Sequence, residues 1–306
     1  MAELIRAPLR AARAAIAGAI ASAVDRVPSL EPWFVRAGRS VARRSRLGGG
    51  AYWFAQESLI AKLQARNDCY REVEVRSIPL VVDVTDATGR FPYFYAQPYE
   101  KGVTDAIITA LRAGDVFLDV GANIGYFSTL AARLVGPSGR VIAFEPHAGA
   151  RAALLANTER NGVAGLVEIV PIALAEREGD MTLYTTDDFT SYSTLDPTLS
   201  PMRSVATFKA SAEIQATTLD RWLEGRPELS ARVRCIKIDV EGAEARVIAG
   251  MQRSLQSTGL TVICETTTGS DADAALEAAG FVRHRIERGG LAYGNFLYVR
   301  PGALTL

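Results

Sequence analysis

One stretch restricts the fold of this chain more than any other: Asp115-Val116-Phe117-Leu118-Asp119-Val120-Gly121-Ala122-Asn123-Ile124-Gly125. Val116–Val120 reads as a buried strand. It runs without a linker into a glycine-bearing turn, and Ile124–Val135 then repeats apolar positions at helical spacing. Gly121 and Gly125 lack a Cβ, so another group can approach the backbone closely there. In open α/β sheets the carboxyl ends of strands border the ligand crevice. The helix that follows such a turn offers free N–H groups to a polar or anionic ligand.

The strand–helix alternation continues. Val141–Glu145, Val167–Leu174, Cys235–Val240 and Leu260–Glu265 read as strands. Gly149–Asn161, Ala243–Ser254 and Asp271–Ala279 read as helices. Near-continuous apolar strands separated by helices predict a mostly parallel sheet covered on both faces. Phe281–Glu287 and Ala292–Val299 flank Arg288-Gly289-Gly290 and predict a C-terminal antiparallel hairpin. Upstream, Glu72–Val75 alternates, Ile78–Val84 is apolar, and Phe91–Tyr95 follows the turn Thr88-Gly89-Arg90, so residues 71–98 predict a small β meander. Thr104–Leu111 has helical spacing. Residues 1–70 read as an N-terminal helical appendage with a glycine hinge at Gly48–Gly50, and 71–306 as the main domain with its core in 99–306.

Composition excludes several functions. Lys plus Arg and Asp plus Glu each total 34, so no basic excess points to nucleic acid. Cys69, Cys235 and Cys264 match no zinc spacing and read as buried thiols of a reducing compartment. With only His147 and His284 besides, no metal centre is expected; a carboxylate-bound divalent ion at Asp239 and Glu241 is the minor alternative. No stretch approaches a membrane span. Ile5, Leu9, Ala12, Ile16 and Ile20 fall near helical spacing, with Arg6, Arg10 and Arg13 on another side. This is either a helix covering the main domain, a helix lying on a membrane surface, or a signal-like segment ending near Ala21–Ala23. The expectation is a cytoplasmic chain with residues 1–50 as the candidate for peripheral membrane contact.

The ligand follows from what the turn lacks. A dinucleotide fingerprint needs a third glycine, whereas here Tyr126-Phe127 follows Gly125. Asp119 would sit awkwardly beside a pyrophosphate and suits a positively charged group, such as the amino group of an aminoacyl cofactor. Glu145 ends the second strand, where a carboxylate accepts hydrogen bonds from ribose hydroxyls. Together these point to S-adenosylmethionine, with Asn123 expected both to cap the helix and to face the cofactor. A second strand–turn–helix, Ile236-Lys237-Ile238-Asp239-Val240-Glu241-Gly242-Ala243-Glu244, should neighbour the first. Asp239 is the leading general base for a hydroxyl acceptor, with Glu241, Lys237 and His147 behind it. His147 is otherwise expected to flank the adenine. Glu244 belongs to the first helical turn, Glu265 can face the acceptor, Trp222 reads as core, and Ser191-Tyr192-Ser193 lies in a polar loop that suits a lid.

The ordered motifs DVGANIGYFS, AFEPH, TTLDRW, IKIDVEGAE and ICE resemble those of the FkbM-type methyltransferases, from about Tyr99 to Val299. The resemblance implies a Rossmann-like class I fold and methyl transfer, typically to a hydroxyl oxygen of a sugar, glycan, glycolipid or natural product. It implies cofactor contacts at Asp119, Gly121, Asn123, Gly125 and Glu145, an acidic acceptor-side pair at Asp239 and Glu241, and a Tyr99-Glu100 element that closes over the cofactor. Two rivals stand beside it: a nicotinamide-dependent oxidoreductase and a non-catalytic nucleoside-binding protein. The acceptor is expected to be a small molecule or saccharide, and the oligomeric state is left open.

Overall fold

The computed structural model describes residues 15, 18–44, 46–96, 100–186, 193–201, 203–204, 206–286 and 292–302. The chain divides into two compact units, Met1–Arg76 with Val81–Tyr99, and Ser77–Leu80 with Glu100–Leu306. The β segment expected to open the main domain therefore groups largely with the N-terminal helices.

In the first unit, helices Glu31–Arg44 and Arg46–Ala65 are followed by a two-stranded sheet of β1 (Tyr70–Val75) and β2 (Ile78–Asp83). Its core gathers Ala21, Val24, Val35, Tyr52, Leu59, Leu63 and Phe94. The buried Tyr52 hydroxyl donates to the Phe94 carbonyl at 2.9 Å. The meander is shorter than expected, because Phe91–Tyr95 is a helical turn and not a strand. Pro92 near its start has no N–H for a β ladder, while its fixed φ suits a first helical turn. Of the arginine-bearing segment near the N-terminus, residues 1–14, 16 and 17 lie outside the described residues. Among those described, no helix is long and apolar enough to cross a membrane.

The second unit contributes, in chain order, β3 (Val116–Val120), β4 (Arg140–Phe144), β5 (Val167–Val170), β6 (Ala173–Leu174), β7 (Gly179–Thr186), β8 (Phe208–Thr217), β9 (Val233–Ile238), β10 (Thr261–Thr267), β11 (Val282–Arg285) and β12 (Tyr293–Val299). Seven of them form one sheet in the order β11-β12-β10-β9-β3-β4-β5. Strands β5, β4, β3, β9 and β10 run parallel, and β12 and β11 close the edge as the antiparallel hairpin. Its turn at Arg288-Gly289-Gly290 lies outside the described residues. A smaller sheet pairs β6 with β8 and β8 with β7. The single strand expected over Val167–Leu174 is thus two strands in two sheets. Pro171 separates them, since it cannot donate to a continuing ladder.

Pairing aligns side chains across the large sheet. Leu118, Ile236, Val262 and Tyr298 are mutual neighbours on one face, and they belong to an apolar core with Trp222, Val247, Ile248 and Leu276. Side chains alternate along a strand, so Asp119, Lys237, Ile263 and Leu297 form a row on the opposite face. Helices Lys101–Ala110 and Tyr126–Val135 pack on that second face, and Glu244–Ala249 and Asp271–Ala278 pack beside β10 from the first. Two residues further toward the carboxyl ends, the second face carries Glu145, Gly121, Asp239 and Glu265, with Asn295 opposite Glu265. Strand β3 is where the order reverses, with β4 on one side and β9 on the other. That is the switch point at which doubly wound sheets bind ligands.

Candidate active site

The turn after β3 has a left-handed backbone at Gly121 (φ 80°), Asn123 (φ 48°) and Gly125 (φ 83°). Gly121 is needed for a second reason: a Cβ there would stand 1.8 Å from the Asp239 carbonyl oxygen. The two motifs seen in sequence therefore meet backbone to backbone. At Gly125 a Cβ would meet Leu154 Cδ1 at 2.8 Å. Gly125 is also the N-cap of helix Tyr126–Val135 and the helix has no side-chain cap. The capping role expected of Asn123 is thus corrected. Its left-handed backbone instead aims its N–H at Glu145 Oε2, 2.8 Å away.

Glu145 is 6% exposed, and its Oε1 accepts the His147 N–H at 2.8 Å. Burial pushes its carboxyl up to about 7, against the pull of the His147 and Asn123 N–H groups. Each oxygen accepts one backbone bond, which leaves lone pairs for a ligand's hydroxyls. His147 caps helix Ala148–Arg160, its Nδ1 accepting the Ala150 N–H at 3.2 Å. Burial, with Arg151 second, lowers its basicity. An accepting Nδ1 leaves the proton on Nε2, so in this geometry His147 serves as a helix cap. It stands as a neutral ring next to the Glu145 corner.

Asp119 was expected against the cofactor's amino group, but it is 0% exposed. Ser128 Oγ donates to its Oδ2 at 2.6 Å, while Oδ1 accepts no hydrogen bond among the described residues and lies 3.9 Å from Lys237 Nζ. Burial raises the Asp119 carboxyl, opposed by Lys237 and Ser128. Lys237 Nζ also donates to Asp239 Oδ2 at 2.9 Å and lies over the Phe127 ring. Burial works against its charge, but Asp239 and Asp119 outweigh that and hold the ammonium above the usual lysine range. Lys237 is consequently a buried cation set between two carboxylates.

On the acceptor side, Asp239, Glu241 and Glu265 bring one carboxylate oxygen each to within 4.8 Å of one another. Burial and then Asp239 raise both Glu241 and Glu265. Glu265 is hydrogen-bonded to Asp239, and Tyr293 to Glu265. Glu100 lies near the same acids, since its charge acts on Lys237, Glu241 and Glu265. Its companion Tyr99 is outside the described residues. Glu244 shapes the turn before its helix, where its Oε1 accepts the N–H groups of Gly242 at 2.9 Å and Val240 at 3.3 Å. A Cβ on Gly242 would stand 2.7 Å from the Leu199 carbonyl, so the polar loop after β7 reaches this turn. Ser191 and Tyr192 of that loop lie outside the described residues.

Sequence reasoning placed Glu265 only loosely and missed Ser128, Tyr293 and Asn295. Tyr293 and Asn295 share a face of β12 with the apolar Leu297, so the strand's own sequence does not single them out.

The residues fit a sulfonium nucleoside on three structural counts. The left-handed turn of Gly121, Asn123 and Gly125 follows β3 at the switch point of the sheet. Glu145 keeps free acceptor capacity. The rim carries carboxylates, and Lys237 is the one buried cation among the described residues.

A family model described as the methyltransferase FkbM domain matches residues 119–290. Over 162 residues the chain is 34% identical to 31-O-demethyl-FK506 methyltransferase FkbM of Streptomyces tacrolimicus, covering 46% of this chain and 61% of that protein. Over 205 residues it is 27% identical to the hexuronic acid methyltransferase AglP of Haloferax volcanii, covering 63% of this chain and 76% of that protein. The match to the first relative thus spans about three fifths of that protein's length. Among solved structures, methyltransferase FkbM of Methylobacillus flagellatus superposes with a TM-score of 0.39 at 12% identity, covering 69% of this chain and 52% of that one.

Proposed function

We infer that this chain, which belongs to the FkbM methyltransferase family, uses S-adenosylmethionine to methylate a hydroxyl oxygen of a sugar-like or polyoxygenated small molecule. The observation that carries this is the meeting of Gly121 with Asp239, which sets a cofactor turn and an acidic acceptor face side by side at the switch point of the sheet. Family membership removes the nicotinamide rival, which already lacked its third glycine. Relatives named for 31-O-demethyl-FK506 and for hexuronic acid support an oxygen-rich acceptor.

When bound, S-adenosylmethionine supplies an electrophilic methyl group. The remaining work belongs to the chain. Gly121 and Gly125 give the turn its left-handed backbone where Asp239 and Leu154 leave no room for a Cβ, and Glu145 holds the ribose hydroxyls. Lys237 positions the Asp239 carboxylate through its 2.9 Å bond, and Asp239 accepts the proton of the acceptor hydroxyl. Much of the rate in such a displacement comes from positioning, and a placed base adds about 10²–10⁴-fold.

Asp239→Asn is therefore expected to bind S-adenosylmethionine within a few-fold of the natural chain while its turnover falls by about 10²-fold or more. Mass spectrometry of a panel of sugars, glycolipids and polyols, scored for the gain of one methyl group, reads the turnover. Undiminished methylation by Asp239→Asn removes the base assignment. The absence of any methylated product with the natural chain counts against the reaction class.

A further inference from the structure

The acceptor side of the site crowds three carboxyl groups together, and burial with their mutual repulsion raises Glu241 and Glu265. Three carboxylate oxygens, from Asp239, Glu241 and Glu265, lie within 4.8 Å of one another. Oxygen ligands about 2.1–2.4 Å from one ion stand roughly 3–5 Å apart, so these three need little movement to share an ion. Lys237 pairs with one of the three, Asp239.

A second observation comes from the neighbouring strand. Asn295 on β12 is the register partner of Glu265 on β10. Direct antiparallel partners project from the same face with their Cβ atoms about 5 Å apart. Asn295 is 2% exposed, and its Oδ1 accepts no hydrogen bond among the described residues. A buried amide oxygen without a donor is costly. Its register partner Glu265 is a carboxyl group, and both are oxygen ligands for a cation.

We propose that Asp239, Glu241, Glu265 and the side-chain oxygen of Asn295 bind one hard divalent cation, of the Mg²⁺ or Mn²⁺ type, which in turn holds the acceptor through two adjacent oxygens. An all-oxygen donor set selects such ions over zinc or copper. A divalent ion adds positive charge among acids where Lys237 is the one buried cation among the described residues. The ion prefers acceptors with a vicinal diol or a hydroxyl beside a carboxylate, because these close a chelate. A hydroxyl on such an ion also loses its proton more readily. The role of the ion toward the acceptor rests on the methyltransferase reading, whereas its binding does not.

The test is Mn²⁺ titration of the full chain, followed by electron paramagnetic resonance without cofactor. One Mn²⁺ per chain, displaced by Mg²⁺, is expected. Glu265→Gln should weaken it roughly ten-fold or more, and Asn295→Leu several-fold, on the scale of losing a ligand or its support. Both variants should still bind S-adenosylmethionine in EDTA, which certifies the fold; if one does not, the other decides. Absence of Mn²⁺ binding at millimolar concentration, or unchanged affinity in a folded variant, overturns the ion site. A chain that binds S-adenosylmethionine but no Mn²⁺ refutes the ion alone. A chain that binds Mn²⁺ but no S-adenosylmethionine refutes the methyltransferase mechanism and leaves the ion.

Discussion

Gly121→Ala is expected to abolish S-adenosylmethionine binding and to lower stability by about 3–5 kcal/mol, at the upper end of single-residue effects. Two costs add. The backbone at Gly121 has φ 80°, where an L side chain is strained by about 1–2 kcal/mol. The new Cβ would also stand 1.8 Å from the Asp239 carbonyl oxygen, a backbone atom that cannot rotate away. Strand β9 must then separate from the turn, and the cofactor corner and acceptor face come apart together. Gly162→Ala is the matched control. It has φ 68° and nothing within 4 Å of a new Cβ, so it should cost only about 1 kcal/mol. Thermal unfolding of both variants checks the difference, and equal losses would show that the close approach to Asp239 is not what demands glycine.

Replacing Lys237 by methionine is expected to destabilise the chain by about 3–5 kcal/mol at neutral pH, because removing one partner leaves buried charge uncompensated. Lys237 is 2% exposed and Asp119 0%, with Asp239 bonded to the same ammonium. The sign of the pH dependence follows from Asp119. Burial already raises its carboxyl above the unfolded value, and losing Lys237 raises it further. The folded variant then binds more protons than the unfolded chain, so its deficit is largest at neutral pH and shrinks as pH falls toward the ordinary carboxylate range. Denaturant unfolding at a series of pH values reads this directly. A deficit that does not change with pH would mean that Lys237 contributes by packing alone.

Much of the main unit could be read from the sequence because its strands are apolar on both faces and end in glycine turns. The glycines at Gly121 and Gly125 and the carboxylates Glu145 and Asp239 fall where the strand ends put them. What escaped the sequence was which way polar side chains face. Asp119 interrupts an apolar strand and reads as a ligand contact, yet its partners Ser128 and Lys237 come from other elements of the fold and enclose it. Asn295 and Tyr293 acquire meaning only through the β10–β12 register, a pairing that no local pattern specifies. Pro92 and Pro171 redirected two segments whose apolar content alone suggested strands. Of Ser191-Tyr192-Ser193, where a lid is expected, Ser191 and Tyr192 lie outside the described residues.

The placement of the cofactor is most directly tested by calorimetric titration of the chain with S-adenosylmethionine, comparing the natural sequence with Glu145→Ala. One site per chain is predicted, with affinity falling by about 10–100-fold in the variant, equivalent to roughly 1–3 kcal/mol for lost hydrogen bonds to a charged group. No heat of binding to the natural chain, or identical affinity in the variant, would contradict a cofactor seated at the Gly121–Glu145 corner.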